Sequence, residues 1–225
     1  MLGNYDYTVW LTYLSAVLGV TGTLFGVAGD GHPWTAGVCL IFCAILDGFD
    51  GRVARSKKNR TEQEKRYGIE IDSFADTISF GVLPCALVYA MGKALAPQMG
   101  QPCWTVYFIV APLFVLAAVI RLASFNVEAE SAPQKPHTGR KAFTGLPVTS
   151  SGFIYPQLLL IQFFLKDDCN LLPVSLCVMA IQGFLFLFKP LRISKFGLKA
   201  ILILAALGAL EIAALVTLFV LHYGR

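Results

Sequence analysis

The sequence has few charged side chains for its length. Asp, Glu, Lys and Arg make up 14% of the 225 residues, whereas about 25% is usual in soluble globular domains. Because so few polar groups cannot cover a water-facing surface, the composition excludes an ordinary soluble domain. The six cysteines include no Cys-x-x-Cys pair, so the sequence does not indicate a thiolate metal site. Apolar residues are in excess instead, at 56%, and the mean hydropathy is +0.65.

The apolar residues fall into blocks. Each block approaches the ~20 residues that a helix needs to cross the hydrocarbon core of a bilayer. Membrane-spanning strands would instead alternate apolar and polar residues over ~10 positions. The sequence therefore predicts an all-α, polytopic membrane helix bundle with about seven transmembrane helices and a single domain over 1–225. The predicted blocks are 9–27, 34–55, 68–92, 103–127, 147–166, 171–188 and 198–222.

The basic residues predict an orientation. If segment 56–67 is cytoplasmic and the blocks alternate from there, all 18 Lys and Arg residues except Lys93, Lys166 and Arg225 fall on the cytoplasmic side. This asymmetry follows the positive-inside rule and predicts a multi-pass protein of the cell membrane. The net charge of +4 is then an orientation signal, with anionic lipid headgroups and not nucleic acid as the expected partner.

Four aspartates lie near the cytoplasmic ends of the second and third blocks. Asp47 and Asp50 are three residues apart, and Asp72 and Asp76 are four apart, so each pair shares a helix face. Segment 56–67 reverses the chain and lets the faces meet. One carboxylate at the centre of a membrane helix costs about 2.5–3.5 kcal/mol, so four together need cations. We expect a site for Mg²⁺ or Mn²⁺, with two ions as is usual for displacement at phosphorus.

Small residues accompany these aspartates. Gly51, Ala54 and Gly68 leave the same helix faces bare, so that a flat ligand can approach the backbone. Arg55 adds a planar guanidinium that suits phosphate oxygens. Acidic residues and arginines can also simply cap helices at the membrane interface, and small residues can simply pack helices. Eight such residues in register favour a metal-held nucleotide diphosphate instead.

The motif resembles the signature of the CDP-alcohol phosphotransferases, DxxDGxxAR followed by GxxxDxxxD. It reads DGFDGRVAR from Asp47 to Arg55 and continues at Gly68, Asp72 and Asp76. The spacer 56–67 is longer than the family's usual spacer by about one helical turn, which we expect to lengthen the helix ends without rotating the carboxylate face.

The resemblance implies a role for each signature residue. Asp76 would act as the general base and also touch a metal. The two divalent ions would be bound by Asp47, Asp50, Asp72 and Asp76. The cytidine nucleotide and its diphosphate would be bound by Gly51, Ala54, Arg55 and Gly68.

Three further segments resemble the phosphatidylserine synthase branch of this family. They read SFGVLP at 79–84, RLASFN at 121–126 and FTGLPV at 143–148. The resemblance implies CDP-diacylglycerol and L-serine as substrates, CMP as a product and a homodimer. Candidates for binding the serine carboxylate or lipid phosphates are Arg121, Asn126, Lys135, Arg140, Lys141 and Lys195.

Several alternatives remain open on the sequence alone. A sister enzyme would keep the fold but use glycerol phosphate, inositol phosphate or choline as acceptor. A divalent-cation transporter could use the same carboxylates, although it would not need the bare helix faces or Arg55; a catalytically inactive scaffold would not need all four aspartates. Arg121 could extend to the membrane interface instead of binding substrate. Segment 127–146 could be a cytoplasmic lid over serine or a plain connector.

Overall fold

The computed structural model describes residues 6–94, 101–131, 142–165, 171–190, 192–194 and 206–217. Every predicted block holds a helix within these residues, which confirms the all-α membrane helix bundle. The helices are α1 (Trp10–Val27), α2 (Pro33–Ser56), α3 (Glu62–Asp76), α4 (Leu83–Ala94), α5 (Gln101–Ser131), α6 (Ser151–Leu165), α7 (Leu172–Leu187) and α8 (Ala206–Thr217). Short 3₁₀ turns, Tyr7–Val9 and Val148–Ser150, precede α1 and α6.

Within the described parts of the chain, four helical stretches are long and apolar enough to cross a membrane. They are Tyr7–Val27, Glu62–Ala94, Cys103–Glu128 and Val148–Leu165, while α7 and α8 are shorter apolar helices. Large apolar side chains on these helices remain exposed, such as Phe164 at 71% and Leu210 at 68%. Such a surface suits contact with lipid tails.

Glycines on α1 allow its neighbours to approach closely. Gly19, Gly22 and Gly26 lie on one face of α1, at spacings of three and four residues. A Cβ at Gly19 would lie 2.7 Å from Ser79 Oγ, and one at Gly26 would lie 2.9 Å from the Ala86 carbonyl oxygen. The bare face therefore brings the backbone of α1 against the long helical stretch 62–94.

That long stretch contains a π-helical segment. Residues Thr77–Val82 form π turns directly after Asp76 and connect α3 to α4 without a break. Ser79, in the π segment, donates a hydrogen bond to the Ser15 carbonyl on α1 at 3.2 Å. A π turn holds more residues than an α turn and often occurs at functional sites. Here it separates the acidic helix α3 from the buried helix α4.

Aromatic side chains fill the centre of the bundle. Phe80, Phe114, Tyr155 and Phe186 are each less than 2% exposed. Phe114 on α5 packs against Phe186 on α7 at 5.3 Å and against Tyr155 on α6 at 6.1 Å between ring centroids. This core fixes α5, α6 and α7 against the helices that carry the aspartates.

Two helix boundaries differ from the sequence prediction. The chain reversal that we predicted over 56–67 is confined to residues 57–61, because Thr61 and Glu64 form a capping box that begins α3 at Glu62. The predicted loop 127–146 begins later, since α5 continues to Ser131.

A short β ladder was also not predicted. Strands β1 (Ala142–Thr144) and β2 (Arg192–Ser194) pair antiparallel over three residue pairs. Pairing between segments so distant along the chain leaves no periodic pattern in a run of three residues.

Gly152 provides a test of the helix packing. A Cβ at Gly152 on α6 would lie 2.5 Å from Ala44 Cβ on α2 and 3.2 Å from Phe80, so Gly152→Ala must push the two helices apart. We expect destabilisation of about 1–3 kcal/mol, as for other overpacked cores, measured as a lower thermal midpoint in detergent. Gly183→Ala is the matched control, because its nearest neighbour would be at an ordinary 3.5 Å. Equal midpoints for the two variants would contradict this packing.

Candidate metal and nucleotide site

Three of the predicted aspartates converge where α2 and α3 face each other. Asp47 and Asp50 on α2 and Asp72 on α3 each offer a carboxylate oxygen, and these oxygens all lie within 4.8 Å of one another. Asp50 is buried at 9% exposure, and the other two are half-buried. Asp76, one turn farther along α3, is not part of this group.

The hairpin that brings α2 and α3 together is fixed by polar contacts. In the capping box, the Glu64 amide donates to Thr61 Oγ1 at 3.1 Å and the Thr61 amide donates to Glu64 Oε2 at 2.8 Å. Lys57 donates to Asp6 at 2.5 Å and to Glu64 at 2.9 Å. The hydrogen bond to Asp6, and to a smaller extent the one to Glu64, raises the pKa of Lys57. The ion pairs tie the start of the chain to the loop and hold the reversal in place.

The donor set of the cluster fits a hard divalent ion. All three groups are carboxylates, and none of them forms an ion pair with Lys, Arg or His in the described parts of the chain. Like charges this close repel one another in a poorly solvated site, so a cation is needed to keep all three ionised. Carboxylate oxygens are the ligands that Mg²⁺ and Mn²⁺ prefer.

The signature arginine lies against a signature glycine. A Cβ at Gly51 would lie 3.3 Å from Arg55 Nη1, so the guanidinium folds back over the bare face of α2. Arg55 is otherwise exposed. The guanidinium is therefore accessible to an anion beside Gly51, the residue that follows Asp50.

A second arginine, Arg60, lies against the other signature glycine; from the sequence it was only one of the basic residues that predict the orientation. Arg60 Nη1 donates to the Ala54 carbonyl at 3.4 Å, and Nη2 donates to the Glu64 carbonyl at 3.1 Å. A Cβ at Gly68 would lie only 2.7 Å from Arg60 Nη2. No sequence signal identifies this contact, because Arg60 belongs to the spacer and reaches Gly68 only through the loop conformation.

Two predicted acceptor-site residues lie on α5. Arg121 is buried at 8% exposure, its Nε lacks a hydrogen-bond partner, and its guanidinium lies 5.7 Å from the ring of Phe125. A Cβ at Gly145, whose φ is +77°, would lie 3.3 Å from Arg121 Nε. Asn126 donates to Ser73 Oγ at 2.8 Å, which ties α5 to α3 beside Asp72.

The remaining candidates cannot be placed. Lys135, Arg140, Lys141 and Lys195 lie outside the described residues, as do positions 132–141 of the predicted lid.

Comparison with known proteins gives the same family as the motif. The CDP-alcohol phosphatidyltransferase family model matches residues 8–221. The chain is 36% identical over 137 residues to the CDP-diacylglycerol–serine O-phosphatidyltransferase of Mycobacterium leprae, and 34% identical over 149 residues to the protein of that name from Saccharomyces cerevisiae. It is 28% identical over 173 residues to the archaetidylserine synthase of Methanothermobacter thermautotrophicus.

These alignments cover 61%, 65% and 77% of the chain, in the same order. They span 41%, 49% and 66% of the three relatives, so the chain covers less than two thirds of the length of each. The family match itself extends over nearly the whole sequence, and the chain therefore belongs to the CDP-alcohol phosphatidyltransferase family.

Proposed function

We propose that this protein transfers a phosphatidyl group from CDP-diacylglycerol to L-serine, forming phosphatidylserine and releasing CMP. The observation that carries the proposal is the approach of three carboxylates to within 4.8 Å at the family signature. Relatives named as serine phosphatidyltransferases, at 34–36% identity, support serine as the acceptor.

The donor site is assigned to α2 and α3. Asp47, Asp50 and Asp72 would hold Mg²⁺ or Mn²⁺, with Asp76 able to complete the set for two ions. Bound divalent ions would neutralise the diphosphate and the charge that develops on the leaving CMP. Gly51, Ala54 and Gly68 would leave room for the cytidine nucleotide, and Arg55 would bind the diphosphate.

Asp76 is assigned the role of general base. It lies one turn beyond Asp72 on the same helix, outside the three-carboxylate group. The serine hydroxyl oxygen attacks the β-phosphorus of the CDP-lipid, its proton passes to Asp76, and the bond to the CMP oxygen breaks. Catalysis would rest chiefly on positioning and electrostatics, as in other phosphoryl transfers.

Arg121 is assigned as the residue that binds the serine carboxylate. It is a buried cation that forms no ion pair within the described residues, and such a group favours binding of an anion. Asn126, through Ser73, would set the distance between this acceptor site and the metal ligands.

The membrane arrangement completes the proposal. The basic residues favour a site at the cytoplasmic face of the cell membrane. The lipid tails would reach it sideways between apolar helices, and the resemblance favours a homodimer. The archaetidylserine synthase among the relatives leaves the choice between ester-linked and ether-linked lipid tails to experiment.

The acceptor assay tests the activity directly. Purified protein receives CDP-diacylglycerol, Mn²⁺ and one labelled alcohol at a time: serine, glycerol phosphate, inositol phosphate or choline. We expect only the serine label to enter the lipid fraction, with release of an equal amount of CMP. An ether-linked CDP-lipid run in parallel determines the tail preference. Incorporation of another alcohol instead of serine would overturn the proposed acceptor.

Substitutions at two aspartates separate metal binding from proton transfer. We expect CDP with Mn²⁺ to raise the thermal midpoint of the wild type, and Asp50→Asn to abolish this rise because one of three ligands is lost. Asp76→Asn should keep most of the rise but lower the rate of CMP release at least about 100-fold, as expected for loss of a general base.

Asp30→Asn and Glu70→Gln are the matched controls, since Asp30 is exposed in the turn before α2 and Glu70 is exposed on α3. Both should behave as the wild type. Normal CMP release by Asp76→Asn would rule out the assigned base. A rise with Mn²⁺ that CDP does not increase further would favour the transporter alternative.

Arg121→Gln tests serine recognition. Loss of a charge-assisted contact to the serine carboxylate should raise the KM for serine about 10- to 100-fold and leave the KM for CDP-diacylglycerol unchanged. The preference for serine over ethanolamine, which lacks the carboxylate, should fall by a similar factor. A rise confined to the KM for the CDP-lipid would instead assign Arg121 to a lipid phosphate.

A further inference from the structure

Arg60 brings a positive charge to the hairpin between α2 and α3. Its Nη1 donates to the Ala54 carbonyl, in the last turn of α2, and its Nη2 donates to the Glu64 carbonyl, in the first turn of α3. The side chain therefore bridges the two helices at the point where the chain reverses. It lies within the site proposed above for the nucleotide.

This charge has no counter-ion among the described residues. Arg60 forms no ion pair there, and its Nε is shielded from solvent without a hydrogen-bond acceptor. The nearby basic residue Lys57, in contrast, is paired with both Asp6 and Glu64. A guanidinium has five N–H donors, and the two backbone carbonyls accept only two of them. The remaining donors and the unpaired charge suit an anion.

The two signature glycines are each covered by a guanidinium. Arg55 Nη1 lies over Gly51, at 3.3 Å from the position of a Cβ, and Arg60 Nη2 lies over Gly68, at 2.7 Å from that position. Gly51 belongs to α2 and Gly68 to α3. Each helix of the hairpin therefore carries a signature glycine covered by a guanidinium, and the three aspartates of the carboxylate cluster lie farther from the loop along both helices.

We propose that Arg60 is a second phosphate-binding residue of the donor site, which contacts the phosphate of the CMP moiety while Arg55 contacts the diphosphate from the α2 side. This assignment rests on the proposed function. The backbone carbonyls of Ala54 and Glu64 hold the guanidinium in place, and the phosphate supplies the anion that the described residues lack.

Nucleotide binding by Arg60→Gln tests the assignment. The measurement is the Kd of CMP and of cytidine in the presence of Mn²⁺, by calorimetry or by competition, for the wild type, Arg60→Gln, Arg60→Lys and the control Arg66→Gln. Arg66 is an exposed arginine of the same helical hairpin, so its variant changes the net charge equally. In Arg60→Gln, the new side chain can still donate to one of the two carbonyls. For every variant, the thermal midpoint measured without nucleotide reports whether the protein folds.

We expect Arg60→Gln to weaken CMP binding about 10- to 100-fold, as for loss of a charge-assisted hydrogen bond, and to leave cytidine binding unchanged. Arg60→Lys should retain part of the CMP affinity, and Arg66→Gln all of it. Unchanged or tighter CMP binding by Arg60→Gln would overturn the assignment. Arg60 would then only connect α2 to α3 or block access to Gly68. An equal loss for cytidine would also overturn it, because the lost contact would not be to phosphate. If the wild type binds no CMP, the proposed function itself fails.

Discussion

The repulsion among three carboxylates on α2 and α3 is the constraint on which the rest of this structure depends. Asp47, Asp50 and Asp72 approach to within 4.8 Å in a bundle of apolar helices, where water cannot fully screen their charges. With all three groups ionised, an arrangement of this kind persists only if the surrounding packing holds the helices together and a cation lowers the electrostatic cost. Glycine-mediated helix contacts supply this packing, and the carboxylate ligands suit a hard divalent cation.

Small residues serve two different purposes along these helices. On α1 and α6, Gly19, Gly26 and Gly152 let other helices approach so closely that even a methyl group would collide with its neighbour. On α2 and α3, Gly51 and Gly68 are covered only by the guanidinium groups of arginine side chains. The former glycines give rigidity to the bundle, and the latter leave space for a ligand. The same residue type thus marks packing in one place and access in another.

The sequence predicted the helical bundle and the convergence of four aspartates, three of which form one group. Long apolar blocks and the three- and four-residue spacings of Asp pairs directly reflect helix geometry. The sequence did not predict the π turns after Asp76, the β ladder or the contact of Arg60 with Gly68. These features arise from the packing of residues distant in sequence or from loop conformation, and neither leaves a periodic pattern. The start of α3 was recognisable in principle from Thr61 and Glu64, which form a capping box.

The division of the proposed site between helices follows from this geometry. In the proposed function, the donor binds at the α2–α3 hairpin, which carries the carboxylates, arginines and glycines. The acceptor binds at α5, where Arg121 is buried and forms no ion pair within the described residues. The hydrogen bond from Asn126 to Ser73 connects the two parts beside Asp72. Apart from the proposed base Asp76, the hairpin residues are assigned to the nucleotide and the metal, so the proposal places recognition of the acceptor's carboxylate on Arg121 of α5. On this assignment, the acceptor could change while the acidic signature stays the same.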